Sequence, residues 1–156
     1  MSRRVCVLGA GRFGRALAVR LRPSCQVALA DAEPRRTKQF AKQHDLGFLY
    51  PREIGAWAEL IAVCVPPQEV ARALREPARQ GTGALCVNMA TSVPTRELAA
   101  DPGLRGLRLA GLKPVGQFTA VARGVPALFV TASTEHHPLL REVFGGLGEV
   151  VVGDED

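Results

Sequence analysis

The hexapeptide Gly9-Ala10-Gly11-Arg12-Phe13-Gly14 constrains the fold more than any other part of the chain. It follows an apolar run at 5–8 and opens a stretch at 12–22 in which Phe13, Ala16, Leu17 and Leu21 fall on one helical face. A G-x-G-x-x-G pattern is weak evidence alone. Between a strand and an amphipathic helix it marks a dinucleotide-binding turn. Gly9 permits the tight turn, Gly11 lets a pyrophosphate approach the backbone, and Gly14 lets the helix pack close to the sheet. The helix start adds free N–H groups and partial positive charge. Ala10, Arg12 and Phe13 complete the candidate cofactor loop.

The rest of the chain alternates in the same way. Near-continuous apolar runs at 5–8, 26–30, 60–65, 84–89 and 107–112 read as strands covered on both faces, with a weaker run at 47–50. Helical periodicity at 12–22 and at 67–80, through Val70, Ala71 and Leu74, separates them. Such alternation gives right-handed βαβ units. A strand at 126–132, a helix at 135–147 capped by Ser133 or Thr134, and a strand at 149–152 finish the pattern. The expected fold is α/β, a doubly wound, mostly parallel sheet of the Rossmann type. One domain should fill 1–153, with a polar, frayed tail at 154–156.

Asp31 stands twenty residues after Gly11, where the second strand ends. A carboxylate there accepts hydrogen bonds from the hydroxyls of an adenosine ribose and repels a 2′-phosphate, which favours NAD. Arg35 and Arg36 follow closely, and a guanidinium pair can clamp a 2′-phosphate, which keeps NADP open. The glycine pattern is shared with flavin proteins and, in variant form, with methyltransferases.

Composition removes several other classes. With 47% hydrophobic and 22% charged residues the chain is of globular type, and 5% aromatics gives little material for base stacking. A net charge of +5 suits an anionic ligand. The basic residues of the first helix alternate with core positions, so they form a solvated face rather than a nucleic-acid stripe. The longest uncharged window, 80–95, contains Gly and Pro and falls short of the roughly 20 residues a bilayer crossing needs. No secretion signal is evident. Cys6, Cys25, Cys64 and Cys86 form no C-x-x-C pair, and three lie in apolar runs, so they read as reduced, buried residues of a cytoplasmic protein with no metal site. His136 and His137 read as surface residues beside Pro138.

Four further segments carry a family likeness: AVCVPPQEV at 62–70, NMATSVP at 88–94, GLKPVGQ at 111–117 and the closing 139–154. Together with the glycine loop they resemble, in order, the N-terminal half of the 6-phosphogluconate dehydrogenase-like superfamily. That group includes hydroxyacid dehydrogenases, pyrroline-5-carboxylate reductases, prephenate dehydrogenases and deazaflavin-dependent NADP reductases. The resemblance implies that Val65, Pro66 and Pro67 line the adenosine side of the cofactor. It also implies that Asn88, Met89 and Ala90 approach the nicotinamide.

Two departures from the family pattern bear on catalysis. Hydroxyacid dehydrogenases carry a substrate-touching serine where this chain has Ala90, leaving Thr91 and Ser92 as nearby donors to substrate or as helix caps. Prephenate dehydrogenases carry a histidine where this chain has Lys113, the one candidate here for a catalytic or substrate-binding cation. The superfamily also continues into an all-helical domain, for which 156 residues leave no room. The expectation is therefore an oxidoreductase acting on a small carbonyl or imine, completed by self-association or a separate catalytic chain. The alternative is a non-catalytic dinucleotide-binding sensor or regulatory module.

Overall fold

The computed structural model describes residues 2–116 and 122–155. Six parallel strands form the main sheet: β1 (Arg4–Leu8), β2 (Gln26–Ala30), β3 (Gly47–Phe48), β4 (Leu60–Val63), β5 (Leu85–Asn88) and β6 (Arg108–Gly111). Their spatial order is β3-β2-β1-β4-β5-β6. The chain crosses from β3 back to β4 beside β1, so the order reverses between β1 and β4. That reversal opens a crevice at the carboxyl ends of the strands.

Alternation within β1 shows why these runs are apolar throughout. Val5 and Val7 face one side, against Leu17, Ala18 and Leu21 of α1 (Arg12–Leu21) and Ala41 of α2 (Pro34–Gln43). Cys6 and Leu8 face the other, against Ile54 of α3 (Pro51–Trp57), Val70 and Leu74 of α4 (Val70–Arg79), and Leu98 of α5 (Thr95–Ala100). A strand with a helix layer on each side has no solvent face, so period-two patterning disappears.

A second, three-stranded sheet completes the domain. β7 (Lys113–Val115) pairs antiparallel with β8 (Ala127–Thr131), and β8 pairs parallel with β9 (Gly148–Val152). Phe129 of β8 and Leu140, Val143 and Phe144 of α6 (His137–Phe144) join the core on the α1 side. The sequence expectation of one doubly wound, mostly parallel sheet holds for the six strands. It omitted β7, because Pro114 in so short a stretch argues against a strand, yet at a sheet edge the missing N–H is tolerated.

Two local expectations are corrected. The final helix begins at His137, not at 135, because Pro138 fits only in a first turn. Ser133 instead closes the preceding turn, its Oγ accepting the His136 N–H at 3.1 Å, and no side chain caps the helix. The tail is not frayed at Glu155, whose carboxylate bonds Thr95 and the Ala132 N–H. Gln117 of the GLKPVGQ motif and Asp156 lie outside the described residues. No helix among the described residues is long and apolar enough to cross a membrane.

Candidate functional site

The three loop glycines are required for different reasons, which the geometry separates. Gly9 has φ +113°, and a Cβ there would stand 2.6 Å from the Cys64 carbonyl oxygen. Its N–H donates to the Ala30 carbonyl at 2.8 Å, locking the loop to the end of β2. A Cβ on Gly14 would lie 1.9 Å from the Gly9 carbonyl oxygen, so α1 can sit this close to the loop only without a side chain there. Gly11 is the opposite case. A Cβ on it would meet no atom of the described residues within 4 Å, and its φ is −74°. Nothing among the described residues demands glycine at Gly11, so the open space above it fits an external group approaching the backbone. Gly11 is also the N-cap of α1 and supplies no side-chain cap, leaving first-turn donors for an anion.

Asp31 closes the other side. One carboxylate oxygen accepts the Ala10 N–H at 2.6 Å and the other the Glu33 N–H at 2.9 Å. The carboxylate is thus fixed across the cleft from Gly11. Ala10, Gly11, Arg12, Asp31, Arg36 and Pro66 all line one cavity of about 510 Å³. An adjoining recess of about 180 Å³ has Leu8, Ile54, Val65 and Ala73 in its wall and shares Asp31 and Ala32 with the first. A polar cleft with a small apolar annex suits a phosphate-linked nucleoside.

Other predicted residues stand apart from this cleft. Arg35 is exposed on α2 and does not line it, whereas Arg36 does and lies 3.9 Å from the Glu33 carboxylate. Phe13 packs against the core, and Met89 is buried in it with its sulfur 4.0 Å from the Cys64 Sγ. Pro67 opens a short 3-10 turn ahead of α4.

Asn88 is fully buried and serves its own loop. Its Nδ2 donates to the Val93 carbonyl at 2.8 Å and to Thr95 Oγ1 at 3.2 Å, and its Oδ1 accepts the Ala90 N–H at 3.1 Å. Lys113 is buried too, with its ammonium donating to the Ala90 carbonyl and, at 2.6 Å, to the Val93 carbonyl. Thr91 and Ser92 are exposed on the loop so held, and α5 receives no side-chain cap from them.

Sequence reasoning overlooked Arg15, Thr37, Phe40 and Glu69, which also border the cleft. Arg15 sits one helical turn past Gly11 with its guanidinium 5.1 Å from the Phe40 ring centroid. Arg15 follows Gly11 by four residues, and that one-turn spacing was its signal in the sequence; nothing local marked Phe40.

A larger open depression, about 810 Å³, runs along α6 and β9 past His137 and Arg141. None of the predicted site residues borders it, so chemistry rather than size selects the glycine-loop cleft. The thiols offer no nucleophile there. Burial pushes Cys6 and Cys64 far above the ordinary range and Cys86 up to about 12. Among the described residues no three His, Cys, Asp or Glu side chains group as metal ligands.

The family model described as "NADP oxidoreductase coenzyme F420-dependent" matches residues 4–91, more than half of the chain and the whole of this cleft. The chain belongs to that family. No curated protein matches it in sequence. Solved structures with the same fold include Mycobacterium tuberculosis 3-hydroxyisobutyrate dehydrogenase with L-serine, at 18% identity and TM-score 0.81, covering 97% of this chain and 54% of that one. An imine reductase variant from Myxococcus stipitatus in complex with NAD+ has 22% identity and TM-score 0.81, with coverage of 97% and 55%. Plasmodium falciparum pyrroline carboxylate reductase with NADP bound has 14% identity and TM-score 0.76, with coverage of 98% and 58%. At these identities the likeness establishes the Rossmann fold of this family member. The chain spans just over half the length of these proteins.

Proposed function

We propose that this chain binds a nicotinamide dinucleotide across the Gly11–Asp31 cleft and forms the cofactor-holding part of an oxidoreductase for a small carbonyl or imine compound. The observation that carries this reading is the open space over Gly11 facing a fixed Asp31 carboxylate. Gly11 and the first-turn N–H groups of α1 would hold the pyrophosphate, Asp31 the adenosine ribose, and the Val65–Ile54 recess the adenine. The bound dinucleotide would supply or accept a hydride. The chain's own part is to bind and orient it at the carboxyl ends of β1, β4 and β5.

The substrate end is less complete. Ala90 presents no donor side chain, and Asn88 and Lys113 hold the 88–94 loop together. Proton transfer and substrate closure would then come from a partner chain or a further domain. The same observation favours a second reading, a dinucleotide-binding sensor without turnover. We place the domain at 1–153.

NAD is the preferred cofactor on the strength of Asp31. NADP is the competing choice, favoured by the guanidinium groups of Arg12, Arg15 and Arg36 around the same cleft. Titration with NADH and NADPH, read by reduced-nicotinamide fluorescence on wild type and Asp31→Ala, tests the reading. Saturable NADH binding weakened by the substitution supports it. A preference for NADPH that Arg36→Ala removes reassigns the ribose contact. No binding of either at millimolar concentration rejects the function.

A further inference from the structure

The net charge of +5 is not spread over the chain. Residues 12–45 hold eight of the twenty Lys and Arg but only three of the fifteen Asp and Glu, and the two kinds balance at twelve each over the remainder. The whole excess therefore lies on the α1–β2–α2 unit, beside the Gly11–Asp31 cleft. The cleft lining itself is balanced, with Arg12, Arg15 and Arg36 among Asp31, Glu33 and Glu69. Elsewhere on the unit, Arg22 is paired with Asp45 at 2.5 Å. What remains is mostly Arg35, Lys38 and Lys42 of α2.

These three fall at i, i+3 and i+7, one helical face, turned away from the buried Thr37 and Ala41. All are exposed, and none has an ion-pair partner among the described residues. α2 contains no acidic residue. On α4, by contrast, Arg72 and Arg79 each meet a glutamate three residues earlier. The α2 arrangement does nothing for its own helix. Like charges three and four residues apart repel, and Arg35 stands in the first turn, at the positive end of the helix dipole. Unpaired charges on one ridge leave an uncompensated positive field. The ten residues of α2 span about 15 Å, and its first turn borders the cleft through Arg36. The ridge thus lies within about two Debye lengths of the cleft at physiological salt.

We propose that the Arg35–Lys38–Lys42 ridge steers the anionic dinucleotide into the cleft, a role that rests on the dinucleotide reading. The ridge attracts the two phosphates from a distance and speeds their encounter with the glycine loop, without touching the bound molecule. Gly11 and Asp31 set how long the complex lasts, and the ridge sets how fast it forms. Steering of this kind raises association rates by about 10- to 1000-fold and falls steeply with ionic strength.

Stopped-flow mixing with NADH, followed by reduced-nicotinamide fluorescence, separates the two rates. The slope of relaxation rate against NADH concentration gives association, and the intercept gives dissociation. The test variant is Arg35→Gln/Lys38→Gln/Lys42→Gln. The control is Arg105→Gln/Arg108→Gln/Arg141→Gln, which removes the same charge from the amino end of β6 and from α6. At about 0.01 M salt, where the Debye length is about 30 Å, the ridge variant should associate roughly tenfold more slowly than wild type. Its dissociation should be unchanged, and the control should stay closer to wild type. At about 1 M salt, where the Debye length is about 3 Å, ridge variant and wild type should associate equally. Gln keeps the helix propensity of Lys and Arg and relieves the repulsion, so the ridge variant should melt no lower than wild type. If it does not fold, Lys38→Gln/Lys42→Gln takes its place, with a smaller slowing expected.

An association rate unchanged by the ridge substitutions at low salt overturns the proposal. So does a control variant slowed equally, which would assign the effect to net charge alone. A faster dissociation that persists at high salt also overturns it, because the ridge would then be a contact surface. Wild type that binds no NADH rejects the dinucleotide reading and the ridge's role with it. NADH bound at the same rate by wild type and ridge variant rejects the steering alone.

Discussion

The Asp31 carboxylate accepts the Ala10 N–H at 2.6 Å, tying the end of β2 to the middle of the glycine loop. Its second oxygen takes the Glu33 N–H, so one side chain shapes both walls of the cleft. Asp31→Ala removes a charged acceptor from a polar, solvent-accessible site. Charged hydrogen bonds contribute about 1.5–3 kcal/mol, which corresponds to a roughly 10- to 100-fold weaker NADH complex. Fluorescence titration measures that loss. The melting temperature should fall by only a few degrees, at about 2–4 °C per kcal/mol for a chain of this size.

Gly11 and Gly14 should part company on substitution. A Cβ on Gly14 lies 1.9 Å from backbone oxygen, which cannot swing aside as a side chain would. Overpacking of that kind costs about 1–3 kcal/mol, visible as a lower melting temperature with or without ligand. Gly11→Ala meets no atom of the described residues and should melt like wild type while binding NADH at least about tenfold more weakly. A Gly11→Ala protein that binds NADH normally would remove this loop as the pyrophosphate site.

The difference between those glycines explains how far the sequence could be read. Gly9, Gly11, Gly14 and Asp31 are separated by spacings set by local geometry, a tight turn and one βαβ unit, so spacing alone brings them together. The apolar runs locate five of the six main strands for the same reason, since burial on both faces leaves its mark on every residue. Lys113 and Glu155 carry no such mark. Lys113 reads as a candidate catalytic cation, yet its ammonium is held by the carbonyls of Ala90 and Val93 some twenty residues earlier in the chain. Glu155 reads as a solvated tail residue, and its partners Thr95 and Ala132 lie at sequence separations of 60 and 23. Contacts between a charged side chain and distant backbone have no periodicity, so composition and pattern cannot announce them.

The four cysteines should be inert in the native protein. Desolvation raises Cys6, Cys25, Cys64 and Cys86, the last to about 12. The thiolate is the reactive species, and for Cys86 at pH 8 it amounts to about 10⁻⁴ of the thiol. A chromogenic disulfide reagent at pH 8 should therefore label slowly until denaturant is added, then titrate all four. Rapid labelling of the native chain, followed by mass mapping, would identify a thiol more accessible than this packing allows.

At the amino ends of the strands, away from the cleft, Arg3 joins two carboxylates. It donates to Glu142 at 2.5 Å and to Glu59 at 3.3 Å, and Glu59 also accepts the Arg4 N–H at 3.0 Å. The Arg4 N–H and then the Arg3 guanidinium hold Glu59 below its ordinary value of 4.5, and Arg3 does the same for Glu142. A carboxylate whose folded-state value is depressed binds its proton more readily in the unfolded chain. Its contribution is therefore complete above the unfolded value and is lost as pH falls through that value towards the folded one. The melting temperature should accordingly hold steady above about pH 5 and decline below it. Glu59→Gln should start lower at neutral pH and show a shallower acid limb, with Glu142→Gln behaving likewise. These groups are solvent-accessible, so 0.5 M salt should shrink the difference between wild type and variant by screening. Thermal melts across pH 3–7 decide the matter: acid limbs of equal slope in wild type and Glu59→Gln would show that other carboxylates govern acid unfolding.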